Sequence, residues 1–172
     1  MTVKIEALSR DHDRKVFDCR IPELNQFLQQ QARQKTLKQI AKTYVACQDL
    51  EPDKIIGYYT LTGYSVSTPP SHRGYKNYPH QLSAVKLARI AVDNSHQGQH
   101  IGELLLIDAI YRTVLVAEQI SAIGLFVDPK YPNVIPFYKQ YGFLSADPEH
   151  TEGLEMWLPI KTCNDIMNTW KK

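Results

Sequence analysis

An apolar run at residues 85–92, a polar turn at 93–99, the longest helical pattern of the chain at 100–118 and a second apolar run at 122–127 follow one another without a break. Two strands separated by a helix of that length cannot form a hairpin. They return parallel to each other in one sheet, with the helix as the crossover. This unit commits the chain to an α/β arrangement, and the remaining segments must be compatible with it.

They are. Residues 3–8 alternate apolar and polar and read as an opening strand. Pro22 fits the first turn of a helix that carries Leu24, Phe27, Leu28 and Ala32 on one face, and a second helical piece runs through Lys38 and Ile40. Residues 43–47 and 55–66, rich in Tyr, Val, Ile and Thr, read as two strands joined by a turn at 50–53. Residues 68–81, with Pro69, Pro70, Gly74 and Pro79, read as a long loop in which His72 and His80 are loop residues. Residues 132–141 read as a helix stopped by Gly142, with Pro136 in its first turn, and 154–160 as a last strand. The fold class is α/β (α+β), in a single domain over 1–172. At 172 residues, 43% hydrophobic and 22% charged, the chain can bury about 70% of its surface without a disulfide or a metal.

Cys19, Cys47 and Cys163 are odd in number and form neither a CxxC pair nor a zinc spacing, so they read as reduced, buried thiols and no metal is expected. No apolar stretch reaches the ~20 residues that span a bilayer, and the N-terminal residues lack a signal-peptide core. A cytoplasmic protein that meets no membrane is expected. There is no GxSxG elbow, no GKS/T loop and no HExxH pair to suggest hydrolase, P-loop or zinc-protease chemistry.

The turn that opens the crossover helix carries the chemistry. The helix follows Gln97, Gly98, Gln99, His100, Ile101 and Gly102. Amides at a helix start have no intrahelical partner and carry partial positive charge, so they suit phosphate oxygens, and glycines allow close approach. By itself, this pattern also fits an ordinary strand-to-helix turn. Its spacing resembles the acetyl-CoA-binding motif of GNAT-type N-acetyltransferases: Gln or Arg, two residues, Gly, one residue, then Gly or Ala. Gln97 and Gly102 match the ends. His100 stands where the family usually has its middle glycine; at negative φ a histidine could still turn its N–H toward a phosphate. Downstream, Phe137-Tyr138 followed by Gly142-Phe143 is similar to the family's late helix.

The resemblance implies the GNAT fold: a central mixed, twisted sheet with helices on both faces and acetyl-CoA in the splay between two parallel central strands. It implies Ile90, Ala91 and Val92 as the strand that holds the acyl group, residues 97–102 as the diphosphate cradle, and Asn133 as a contact for the pantetheine arm. Tyr138 would be the acid for the departing thiolate, its packing role being the alternative. Residues 17–28 resemble one GNAT branch, bacterial toxins that acetylate aminoacyl-tRNA, with Arg20 in place of that branch's usual glycine. A small ribbon-helix-helix antitoxin and a homodimer would follow. Charge agrees: residues 24–92 carry +6, against −4 for the rest. Such polarity suits a phosphate-rich partner, with Arg33, Lys35 and Arg89 as candidate tRNA contacts. A GNAT enzyme acting on a small amine or a protein lysine, or a CoA-binding module without turnover, are the alternatives.

Overall fold

The computed structural model describes residues 2–67, 79, 81–146 and 154–170. The elements are β1 (Val3–Ala7), α1 (Pro22–Gln30), α2 (Ala32–Leu37), β2 (Lys42–Gln48), β3 (Glu51–Ser67), β4 (Gln81–Val92), α3 (Ile101–Ile120), β5 (Gly124–Val127), α4 (Ile135–Lys139), β6 (Leu144–Ser145), β7 (Met156–Pro159) and α5 (Ile160–Trp170). The strands form a seven-stranded mixed sheet in the order β1-β2-β3-β4-β5-β7-β6. β4 pairs parallel with β5, where the crossover helix α3 requires it.

The chain divides into two compact units, Met1–Thr62 with Ala88–Ala109, and Gly63–Leu87 with Ile110–Lys172. In the first, β1 pairs antiparallel with β2, and β2 with β3. Its core gathers Phe17, Phe27, Leu28, Ala32, Val45, Ile55 and Tyr58, with Leu24 packed against them. Phe27 and Leu28 therefore face inward from α1 as expected, whereas Ala32, also buried, begins α2 and is not part of that helix. The Thr43 and Thr60 hydroxyls, both buried on facing strands, satisfy each other at 2.8 Å.

In the second unit, β5 is enclosed on all four residues and pairs parallel with β4 and antiparallel with β7. Phe126 stacks on Trp157 and meets Tyr64 edge-on. The parallel ladder ends at Leu87↔Val127, whereas β4 runs on to Val92.

Four expectations need correction. The turn at 50–53 is tighter: Gln48 pairs with Glu51, so only Asp49 and Leu50 lie outside the strands, and β3 begins at Glu51. The register shift between Gln48↔Glu51 and Cys47↔Ile55 leaves Pro52, which has no N–H to give, in an irregular stretch of the ladder. The second helical piece ends at Leu37, short of Ile40. The helix at 132–141 is a 3-10 turn over Pro132–Val134 and then only five α-helical residues. Finally, the last strand is followed by a further helix, α5, which buries Cys163 and Met167 one turn apart. The expected loop at 68–81 lies outside the described residues apart from Pro79 and Gln81; Gln81 begins β4.

Cys19, Cys47 and Cys163 are all free and buried. Burial pushes the Cys47 thiol up to about 11 and the Cys163 thiol up to about 12, and it raises Cys19 as well. Thiolate, not thiol, attacks a disulfide reagent. An aromatic disulfide reagent at pH 8 should therefore leave the native protein essentially unlabelled over minutes and titrate all three thiols in denaturant. Rapid labelling of the folded chain would contradict this burial.

Candidate active site

The end of β4 feeds a short, heavily bonded turn. Asp93 N–H donates to Ile56 C=O at 2.9 Å, which holds the strand end against β3. A 3-10 turn over Asn94–His96 follows, with the Asp93 side chain accepting the Ser95 N–H. The Gln97 amide then reaches back to Val92 C=O at 3.1 Å. Gln97, Gly98, Gln99 and His100 are exposed, and Ile101 is buried as the first residue of α3.

Leu104 N–H donates to His100 C=O at 3.2 Å, so the amides of Ile101, Gly102 and Glu103 precede the first intrahelical bond. In a 20-residue helix they stand at the positive end of the dipole. Gly98 adopts φ +78, which favours glycine, and a Cβ there would meet nothing within 4 Å. At Gly102 a Cβ would meet only Val92 Cγ2, at an ordinary 3.8 Å. Nothing in the fold itself therefore calls for glycine inside this helix, where it costs about 1 kcal/mol relative to alanine.

His100 departs from expectation. Its φ is +63, not negative, so the chain keeps a left-handed conformation with a histidine side chain attached. The imidazole points along the helix start, with Nδ1 3.4 Å from Glu103 Oε2, and is largely exposed. Arg20, the other position where the family branch usually has glycine, behaves alike at φ +68.

The first unit also brings two of the three basic candidates together. The Arg89 guanidinium lies 3.7 Å from the centroid of Phe27, and Lys35 Nζ lies 5.7 Å from it. Phe27 in turn stacks on Tyr58, whose hydroxyl donates to Leu24 C=O at 2.8 Å. Arg89 is thus held by a ring embedded in the core rather than swinging free. Arg33, also half-buried, occupies α2 beside Ala32. Ile90 and Val92 are half-buried and Ala91 buried, in the part of β4 beyond the ladder with β5.

The second unit carries Tyr138 and Asn133. Tyr138 is buried in α4, edge-on to Phe137 at 5.2 Å and to Phe143 at 5.3 Å. Gly142 at φ +96 turns the chain so that Phe143 N–H reaches Tyr138 C=O and its ring meets the tyrosine. Burial pushes the Tyr138 phenol up to about 12. Asn133 is exposed in the 3-10 turn. Among the described residues no group of three His, Cys, Asp or Glu side chains could hold a metal ion, and no helix is long and apolar enough to cross a membrane.

Residues that the sequence reading passed over matter here: Asp93, Asp18 and Asn25 fix the turn. The available signal was an Asp two residues before a backbone donor, at Asp93-x-Ser95 and Asp18-x-Arg20, the spacing of an Asx turn.

Residues 39–144 match the family described as Acetyltransferase (GNAT) domain. A protein of Mycobacterium tuberculosis named tRNA-acetylating toxin is 30% identical over 132 residues, 75% of this chain and 78% of that protein. Among solved structures, AtaT complexed with acetyl-methionyl-tRNAfMet superposes with a TM-score of 0.87 at 28% identity, covering 96% of this chain and 99% of that one. A tyrosine-to-phenylalanine mutant of the AtaT toxin, bound to the C-terminus of the antitoxin AtaR and acetyl-CoA, superposes with a TM-score of 0.80 at 26% identity, covering 96% and 98%.

The strain at His100 has a measurable consequence. A left-handed L-residue costs roughly 1–2 kcal/mol, of which glycine's greater freedom in the unfolded chain returns part. His100→Gly should therefore raise unfolding stability by up to ~1 kcal/mol in urea titrations; a loss of stability would contradict the left-handed assignment.

Proposed function

The chain belongs to the GNAT acetyltransferases, and from that premise we propose that it moves the acetyl group of acetyl-CoA onto the α-amino group of aminoacyl-tRNA, as the toxin of a toxin–antitoxin pair. The observation that carries this reading is the turn 97–102, exposed over 97–100, which leads into unpaired helix amides and a glycine that the fold does not require. A diphosphate is the ligand chemistry that fits such a cradle. The tRNA-acetylating relative and the tRNA-bound AtaT structure support the acceptor class.

Acetyl-CoA supplies an activated acyl thioester. The loop 97–102 and the first turn of α3 hold its diphosphate, and the amides of Ile90, Ala91 and Val92 polarise the thioester carbonyl. Asn133 contacts the pantetheine arm. The neutral α-amine attacks the carbonyl carbon, so that a C–N bond forms and the C–S bond breaks. The Tyr138 phenol gives its proton to the departing thiolate, and the amine's extra proton is released to solvent, from which the phenolate recovers one. A phenol raised to about 12 by burial keeps its proton throughout the physiological range, so it is present as a proton donor and not as a base. The product amide has no nucleophilic nitrogen, so the acylated tRNA no longer accepts a peptide.

Arg33, Lys35 and Arg89 contact the phosphates of the acceptor end. The Phe27 anchor makes Arg89 the best preorganised of them. The partners are a ribbon-helix-helix antitoxin, in keeping with the antitoxin-bound AtaT structure, and a second copy of the chain. The site of action is the cytoplasm, where charged tRNA is found.

Labelled acetyl-CoA incubated with a charged tRNA pool should yield label on the aminoacyl group; label found only on polyamine or protein would defeat the reading. Tyr138→Phe should lower kcat by about 10²-fold or more while leaving acetyl-CoA affinity within about twofold. The wild-type rate should rise with pH as the α-amino group, with a pKa of about 8, loses its proton. Because the active form of Tyr138 is protonated and its pKa is raised to about 12, no falling limb should appear below about pH 10. tRNA affinity should fall steeply with salt, and Arg89→Ala should reduce the slope of log K against log salt by about one. A slope unchanged by that substitution would remove Arg89 from the interface.

A further inference from the structure

Asp93 is the only buried carboxylate among the described residues. A charge withdrawn from water persists when hydrogen bonds satisfy it, and this one is fully engaged. Its Oδ1 accepts the Ser95 N–H at 3.0 Å and the Ser95 hydroxyl at 2.6 Å, and its Oδ2 accepts the Asp18 N–H at 3.0 Å. Its own C=O accepts the His96 N–H, and the Asn94 N–H and side-chain amide both donate to Asp18 C=O. Burial works to raise its pKa, but the donors at Ser95 and Asp18 outweigh that and hold the carboxyl below its ordinary value. One side chain thus fastens the end of β4 to the segment before α1 and to the 94–96 turn.

The next residues are the cradle. Within three positions it contains Gly98 at φ +78 and His100 at φ +63. Backbone in such regions persists where its surroundings over-determine it, and the bonds converging on Asp93 supply that constraint immediately upstream. Asp93 cannot be a ligand of the diphosphate: it has the wrong sign, and both oxygens are occupied. We infer that Asp93 is a positioning residue of the acetyl-CoA site, its carboxylate fixing the turn so that residues 97–102 present their amides in register. This rests on the loop being the diphosphate cradle, as proposed above.

Asp93→Asn tests it. Whichever way the amide is oriented, its NH₂ faces a backbone donor, Asp18 N–H or Ser95 N–H, and one anchor is lost. Acetyl-CoA dissociation constants are measured by calorimetry for the wild type and for Asp93→Asn, Gly102→Val and Phe126→Leu, each checked as folded by circular dichroism. Gly102→Val obstructs the cradle directly, whereas Phe126→Leu weakens the core of the other unit. We expect Asp93→Asn to raise the dissociation constant at least about tenfold, the equivalent of one charge-assisted hydrogen bond to the diphosphate. KM for acetyl-CoA should rise in step, with kcat at saturation within about twofold. Phe126→Leu should leave both constants unchanged despite its lower melting temperature, which separates positioning from general loss of stability. If Asp93→Asn binds like the wild type while Gly102→Val does not, the positioning role is wrong and the cradle stands. If neither loses affinity, the cradle itself is misassigned and the inference falls with it. Should Asp93→Asn fail to fold, Ser95→Ala removes only the hydroxyl donor; it should raise the dissociation constant a few-fold, and wild-type affinity there would overturn the role.

Discussion

The parallel pairing of β4 and β5 governs the rest of this molecule. Parallel neighbours need a crossover, and the chain between Val92 and Gly124 supplies it as a 20-residue helix. The helix must therefore begin just beyond the C-terminal end of β4. That is where unpaired amides and the positive end of the dipole are available to an anion. The ladder with β5 stops at Leu87↔Val127, five residues before β4 ends, so the backbone of Ala88 to Val92 is not committed to that neighbour. Sheet topology, in this sense, comes before any catalytic side chain.

This dependence explains what could be read from the sequence. The crossover was legible because both of its strands are apolar runs and its helix is long, and periodicity over such lengths is a strong signal. α1 was legible because Pro22 marks its start and Phe27 and Leu28 mark its inner face. α5 was missed for the complementary reason. Its sequence, with Thr162, Asn164, Asp165, Asn168 and Thr169, has weak intrinsic helix preference, and the burial of Cys163 and Met167 decides the matter. α4 was overestimated because apolar spacing continues through residues whose backbone tightens into a 3-10 turn around Pro132. The start of β3 was misjudged because Pro52 and Asp53 have turn chemistry, although a bulge accommodates both inside the strand.

The basic side chains show a similar division. Their excess between residues 24 and 92 is plain arithmetic, but arithmetic does not distinguish a solvated charge from a fixed one. The distinction comes from Phe27, which was legible only as an inward-facing residue of α1. One face of its ring packs into the core against Tyr58, and Arg89 lies 3.7 Å from its centroid. A guanidinium already held in place loses less freedom when it meets a phosphate than one that is mobile. Core packing and candidate recognition thus share a residue, and neither could be read without the other.

The two departures from the family pattern belong to the same account. Arg20 and His100 both occupy positions where the resemblance leads one to expect glycine, and both retain the backbone conformation that glycine would favour, at φ +68 and +63. Each such residue carries a strain of roughly 1–2 kcal/mol, so the path must be imposed from elsewhere. Asp18 accepts the Arg20 N–H and the Asn25 amide, Asn25 accepts the Cys19 N–H, and Asp93 binds the Asp18 N–H and the Ser95 turn that leads to His100. Arg20 is thus held within a hydrogen-bonded network centred on a buried carboxylate, and His100 lies five residues beyond the Ser95 turn that the same carboxylate fixes. At both positions the left-handed dihedral stands near hydrogen bonds made by residues that the motif does not name.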